Sequence, residues 1–158
     1  MKAVLQRVKQ ANISIDNLEY ASIDQGLLVL VGFSNEDNQS DIKKISKKIL
    51  NLRIFSDKQG KMNLSLQDIN GAILIVSQFT LYAECKKGNR PSFINAASLI
   101  DAKYIYNEFV NYMENQYRNI KTGKFGAMMD ISLNNHGPVT IFLDSQKIPF
   151  SFLFPLCD

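Results

Sequence analysis

The sequence predicts an α+β fold: a curved, largely antiparallel sheet with a barrel-like core and two main helices packed outside it. Three observations carry that expectation. Short apolar runs rich in β-branched residues are frequent, only two segments show a good helical stripe, and the two kinds of element do not alternate as a doubly wound parallel sheet requires. The chain has 158 residues, 46% hydrophobic and 21% charged, which suits one domain with its own core. Residues 1–158 are therefore read as a single domain, with 147–158 as an extension of it.

Taken in order, residues 2–15 alternate as a strand or hairpin arm, and residues 26–33 (GLLVLVGF) form an apolar run too short for a typical helix, hence a central strand. A helix follows over residues 40–52 with Ser40 as its N-cap. Its lysines, Lys43, Lys44, Lys47 and Lys48, lie opposite Ile42, Ile45, Ile49 and Leu52 as the wet side of an amphipathic helix. Residues 53–55 are extended and end at the turn 57–60. Residues 72–79 form the next strand, and residues 88–91 (GNRP) form a loop. A second helix starts near Ser98, whose hydroxyl and the Asp101 carboxylate resemble a capping box. Ala102, Ile105, Phe109, Tyr112 and Met113 give it a buried stripe. Gly123 and Gly126 mark a turn. Residues 128–133 then read as a strand, with residues 139–144 as its antiparallel neighbour across the connection 134–138.

Composition narrows the function classes. The net charge of +3 is too small to establish a nucleic-acid partner. No stretch is long enough to span a bilayer and no apolar signal region follows Met1, so no membrane association and a cytoplasmic location are expected. Cys85 and Cys157 fit reduced thiols better than a disulfide. No glycine-rich phosphate loop of the Rossmann or P-loop kind is present. One histidine, two distant cysteines and no clustered carboxylates do not make a ligand set, so neither a metal nor a cofactor is expected. His136, in a turn and without an orienting acid, reads as hydrated and not as part of a triad.

What remains for chemistry is hydroxyl and backbone. Ser77-Gln78-Phe79-Thr80 closes one apolar run and residues 135–140 (NHGPVT) open another, each placing small polar groups at the mouth of a predicted strand. Thr80 can attack or orient a carbonyl, and the amides around Phe79 and Thr80 can form an oxyanion hole. Alternatively, Ser77 and Thr80 only satisfy strand-end hydrogen bonds and Phe79 fills the core. Lys86, Lys87 and Arg90 follow directly; they steer a phosphate-bearing substrate or are a solvated loop.

The pairing of SQFT with NHGPVT, the opening MKAVLQRV, the segment KKGNRPSF and the stretch GKFGAMM resemble D-aminoacyl-tRNA deacylase of the widespread bacterial and eukaryotic type. The similarity runs from Met1 to about Asp144. It implies a homodimeric, metal-independent esterase that hydrolyses the bond between a D-amino acid and the terminal adenosine of tRNA, and that also accepts mischarged glycine. The family's SQxT motif falls on Ser77, Gln78 and Thr80, and its Gly-cis-Pro motif, the chiral selector, on Gly137 and Pro138. The resemblance further implies that the Gly-Pro pair of one subunit reaches the active site of the other.

With that resemblance, Lys86, Lys87 and Arg90 become candidate contacts to acceptor-stem phosphates. Phe125 and Met129 are candidates for the adenosine pocket, or are core residues. Arg7 either anchors the partner's Gly-Pro loop or forms a structural salt bridge. Two routes stay open for the chemistry: Thr80 as nucleophile, or the ribose 2′-OH and water acting while Thr80 positions the ester. The rival functions are a non-catalytic RNA-binding module and a small-molecule D-amino-acid esterase. After Asp144 the chain departs from the family, with the apolar segment 147–158 (KIPFSFLFPLCD).

Overall fold

The computed structural model describes residues 1–149. The apolar extension, which from its sequence either covers a sheet edge or dimer surface or forms a poorly ordered tail, lies from Phe150 onward outside the described residues, as does Cys157; Cys85 is a free, exposed thiol. Strand β1 (Lys2–Ile15) is the spine of the sheet. Along one edge it pairs antiparallel with β3 (Gly26–Gly32) and then β2 (Leu18–Ile23). The two-residue turn between β1 and β2, Asp16 and Asn17, has positive φ at both positions, the geometry hairpins favour. Helix α1 (Gln39–Asn51) and a small hairpin of β4 (Phe55–Ser56) and β5 (Met62–Leu64) follow. Strand β6 (Ala72–Ser77) pairs parallel with β3, helix α2 (Leu99–Gln116) crosses back, and β7 (Ile120–Thr122) pairs parallel with β6.

Strand β8 (Asp130–Asp144) takes the other edge of β1. The result is a nearly closed, barrel-like mixed sheet with both helices outside it, antiparallel around β1 and parallel at β3–β6–β7. Its central strands carry continuous apolar runs because both faces are covered. Leu5, Val29, Ile73 and Ile75 pack with Ile45 and Ile49 of α1 and Phe109 and Met113 of α2. Val8, Ile13, Leu28 and Leu74 fill the opposite side.

Four local expectations are corrected. Helix α1 is capped by Asn38, not Ser40: the Asn38 side chain accepts from the Ser40 amide at 2.9 Å while the Asp41 carboxylate accepts from the Asn38 amide at 3.1 Å, a reciprocal pair Ser40 does not complete. Ser98 does cap helix α2, its Oγ accepting from the Asp101 amide at 3.2 Å, but the box is not reciprocal: the Ser98 amide donates to Asn35 Oδ1 at 3.4 Å, and the Asp101 carboxylate accepts from Ser98 Oγ at 2.6 Å. The buried face of α2 consists of Ala102, Tyr106, Phe109 and Met113, with Ile105 and Tyr112 only half-buried.

The third correction is that β6 stops at Ser77, and Phe79–Tyr82 winds into a single 3₁₀ turn. The fourth is the largest. The segments expected as two hairpin strands are one strand, β8, and both halves pair with β1. Between Gln6 and Val8, two residues along β1, the partners run from Thr140 to Asn135, five residues along β8, so three residues bulge out of the ladder. Gly137 and Pro138 sit in that bulge, joined by a cis peptide bond.

Candidate active site

The end of β6 delivers Ser77 and Gln78 to the rim of a cleft of about 570 Å³, within the size of small-ligand sites. Its lining comes from Val31, Val76 and Ile131 on the sheet strands, from Phe33, Ala97, Leu99 and Ala102, and from the segment Phe125 to Met129. The wall at α2 is tied to the sheet by the Ala97 amide, which donates to the Phe33 carbonyl at 2.9 Å. Phe79 lines the same cleft and is 55% exposed, meeting the Phe93 ring edge-on at 5.0 Å between centroids. An aromatic ring left so open does not fill a core, so that alternative for Phe79 is excluded.

The 3₁₀ turn opens with Phe79 and Thr80, whose amides precede every carbonyl of the turn and have no acceptor within it. The first amide satisfied by the turn is Leu81, which donates to the Gln78 carbonyl at 3.3 Å. Gln78 itself is fixed to β3 through its amide, 2.6 Å from the Val31 carbonyl. Its side-chain Nε2 donates to Thr80 Oγ1 at 2.5 Å. Thr80 is thus oriented by an amide, and neither end of an amide is a base at neutral pH.

Phe125 and Met129 stand in the cleft wall with Ser77, Gln78 and Phe79. Tyr106, not singled out in the sequence, backs Phe125 with ring centroids 5.4 Å apart, and burial raises its phenol well above the ordinary range. Gly123 seats Met129: a Cβ there would lie 2.8 Å from the Met129 sulfur. Phe93, Val31, Phe33 and Leu99 are further contributors that the sequence left unmarked. Phe93 ends the quoted KKGNRPSF segment, which was its one available signal; the others are brought in by tertiary packing.

Lys86, Lys87 and Arg90 are exposed on a loop pinched shut by paired backbone bonds between Glu84 and Ser92, 2.8 and 3.0 Å. They do not line the cleft. Lys86 Nζ is 3.2 Å from the Glu84 carboxylate, which the Lys86 backbone amide and then its side chain hold below the usual carboxylate range.

Gly137 and Pro138 are exposed and absent from the cleft lining. They sit level with Arg7, across three strand spacings and four residues along the sheet from Ser77. That is roughly 19 Å measured in the sheet surface, at about 4.8 Å per strand and 3.3 Å per residue. Arg7, 6% exposed, supports the bulge within its own chain: Nε donates to the His136 carbonyl at 2.8 Å and Nη1 to the Ile54 carbonyl at 2.6 Å. The contacts are to carbonyls, not to a carboxylate. His136 Nδ1 is buried with no hydrogen-bond partner among the described residues.

Among the described residues, no three His, Cys, Asp or Glu side chains gather as a metal-ligand set. No described helix is long and apolar enough to cross a membrane.

The profile of the family described as D-Tyr-tRNA(Tyr) deacylase matches residues 4–144. A D-aminoacyl-tRNA deacylase from Thermosipho africanus is 54% identical over 148 residues, covering 94% of this chain and 99% of the relative. One from Clostridium kluyveri is 51% identical over 148 residues, with the same coverage. Among solved structures, the c-Myc DNA unwinding element binding protein superposes with a TM-score of 0.87 at 44% identity, covering 91% of this chain and 98% of its own. A probable eukaryotic D-amino acid tRNA deacylase, 19% identical, shares the fold with a TM-score of 0.76 over 90% of this chain and 97% of its own. With the profile spanning most of the sequence and relatives this similar along nearly their whole length, the chain belongs to the D-Tyr-tRNA(Tyr) deacylase family.

Proposed function

We propose that this chain hydrolyses the ester of D-aminoacyl-tRNA, releasing the free D-amino acid and tRNA, and acts as a homodimer with two composite sites. The observation that carries the reading is the cleft: apolar walls of a size for a nucleoside, closed at one rim by Ser77, Gln78 and two amides with no acceptor among the described residues. An aminoacyl ester is already activated, so the charge to stabilise is the tetrahedral oxyanion. The Phe79 and Thr80 amides supply donors for it, and one such donor is worth roughly 2.7–4 kcal/mol. Phe125 and Met129 hold the terminal adenosine, while Lys87 and Arg90, with Lys86 when it leaves Glu84, contact acceptor-stem phosphates.

The hydrogen bond from Gln78 favours the second chemical route. Thr80 Oγ1 accepts from an amide and has no base bonded to it among the described residues, so Thr80 positions the ester while the ribose 2′-OH and water carry the proton transfers.

Selection falls to Gly137 and Pro138. Their separation from the cleft within one chain leaves a second copy to bring the bulge to it. Its carbonyls receive the substrate ammonium and its backbone crowds the side where an L side chain would lie. A selector made of backbone does not read side-chain identity, so glycyl-tRNA is also cleaved.

The test is deacylation of D-tyrosyl-tRNA, L-tyrosyl-tRNA and a D-tyrosine alkyl ester. Clearance of the first alone supports the proposal. D-tyrosyl-tRNA left intact under enzyme excess refutes it, and equal turnover of the alkyl ester removes tRNA from the reading. Mixing Thr80→Ala with Gly137→Ala chains tests the composite site: a heterodimer with no recovered activity, from chains that each fold, places both motifs in one subunit.

A further inference from the structure

Behind the cleft, buried polar groups converge on the 3₁₀ turn that presents the Phe79 and Thr80 amides. The Asp37 side chain, 2% exposed, accepts from the Met1 ammonium, from the Ser34 amide at 2.8 Å and from the Tyr82 hydroxyl at 3.4 Å. The same ammonium donates to Ser145 Oγ at 2.8 Å. Tyr82 is the last residue of the turn. Lys2 Nζ lies 4.4 Å from the centroid of its ring and donates to the Leu81 carbonyl at 3.4 Å. Burial first, and then the Asp37 charge, push the Tyr82 phenol well above its ordinary range, so it remains a neutral O–H donor.

A lone 3₁₀ turn has poor hydrogen-bond geometry and little stability of its own. Its direction is therefore set by what holds its ends. Gln78 is bonded to Val31 at the front, and Leu81 and Tyr82 are held by Lys2 and Asp37 at the back. The turn lies directly on β3: a Cβ at Gly32 would come within 2.7 Å of the Gln78 carbonyl and 3.3 Å of the Tyr82 ring. Neither Lys2, Asp37 nor Tyr82 lines the cleft, so none of them is placed to touch a ligand there.

We propose that Asp37, Tyr82 and Lys2 are positioning residues for this turn, fixing where the Phe79 and Thr80 amides point and so how well they meet the oxyanion. The inference rests on the hydrolytic reading of those amides. Oxyanion donors are sensitive to aim, since a misplacement of about 1 Å is worth about a hundredfold in rate. A slackened back anchor moves the amides by less than that.

The test uses Tyr82→Phe, which keeps the ring beneath Lys2 and removes only the hydroxyl, with Asp37→Asn and Lys2→Met beside it. Backbone amide resonances of Phe79 and Thr80 are expected to shift in all three variants while those of Leu5 and Ile73 stay in place. On D-tyrosyl-tRNA, kcat is expected to fall about threefold in Tyr82→Phe and about tenfold in Asp37→Asn, with KM within about twofold. Asp37→Glu, which keeps the charge, is expected to retain more activity than Asp37→Asn. Unmoved Phe79 and Thr80 resonances, or activity that falls only with the folded fraction, would overturn the inference. A wild-type chain that spares D-tyrosyl-tRNA overturns the hydrolytic reading instead, because the resonances decide the positioning without substrate.

Discussion

Replacing Gly137 by alanine perturbs the bulge through two separable effects. Gly137 has φ of +130°, and a Cβ there meets Arg7 Nη2 at 2.8 Å and the Val139 Cγ2 at 3.0 Å. The backbone effect alone costs about 1–3 kcal/mol for a non-glycine residue in such a conformation. The steric effect falls on a guanidinium fixed through Nε and Nη1 to two carbonyls. Breaking one charge-assisted bond there costs about 1.5–3 kcal/mol. Gly137 is exposed and Arg7 is buried, so the bulge yields first and absorbs part of that cost.

The net loss is expected at about 2–3 kcal/mol, a fall of roughly 4–12 °C in Tm for a domain of this size. A displaced selector is expected to slow single-turnover deacylation of D-tyrosyl-tRNA by about a hundredfold. Gly60→Ala is the control. Its φ is +80° and nothing lies within 4 Å of the added Cβ, so it reports the backbone effect alone. If Gly137→Ala melts with Gly60→Ala and clears D-tyrosyl-tRNA at the wild-type rate, then the Arg7 contact does not set the bulge and the bulge does not set the rate.

Neutralising Lys87 and Arg90 together is expected to reduce the salt slope of tRNA binding by about 1.5, at roughly 0.7–0.9 per phosphate contact. Glu84→Gln, which releases Lys86, is expected to steepen it, and filter binding across a salt series reads both. Asp57 and Asp68 are held below the ordinary 3.8, Asp57 chiefly by the Lys61 amide and Asp68 by the Ser65 amide and hydroxyl. Their stabilisation is complete above the unfolded value and lost as pH falls through the depressed folded one. Thermal melts of Asp57→Asn and Asp68→Asn should therefore lie below wild type near pH 6 and converge with it as pH falls through the depressed folded values. Phe109→Ala, at a fully buried position, is expected to cost about 3–5 kcal/mol in urea unfolding, against less than about 1.5 for Phe79→Ala.

The strands and helices were legible where one period dominates. The runs at β3 and β6 announced strands covered on both faces, and the lysine and isoleucine faces of α1 announced a surface helix. Strand β8 was not legible as one element, because glycine followed by proline ordinarily ends a strand. Only the long partner β1, bonded on either side of the bulge, keeps the two halves in one ladder. The α1 cap was missed because Asn38 and Ser40 both suit the position and only the reply from Asp41 decides. At the site, Ser77 to Thr80 could be marked from residue type, and Phe125 and Met129 from motif resemblance. The exposure of Phe79 and the support from Tyr106, Asp37 and Tyr82 depend on contacts across the fold.

The bulge in β8 also bears on solubility. A fifteen-residue strand that, among the described residues, is bonded along one edge only is a template on which sheets can grow between molecules. Here the template is broken in the middle. A straight strand arriving at its open edge can follow the ladder on one side of residues 136–139, but the surplus of β8 over β1 between Gln6 and Gln10, six residues against four, puts the other side out of step. Cross-linking or dye-binding at high concentration is accordingly expected to find Gly137-Pro138 deletion chains, with the strand made continuous, aggregating faster than the intact protein.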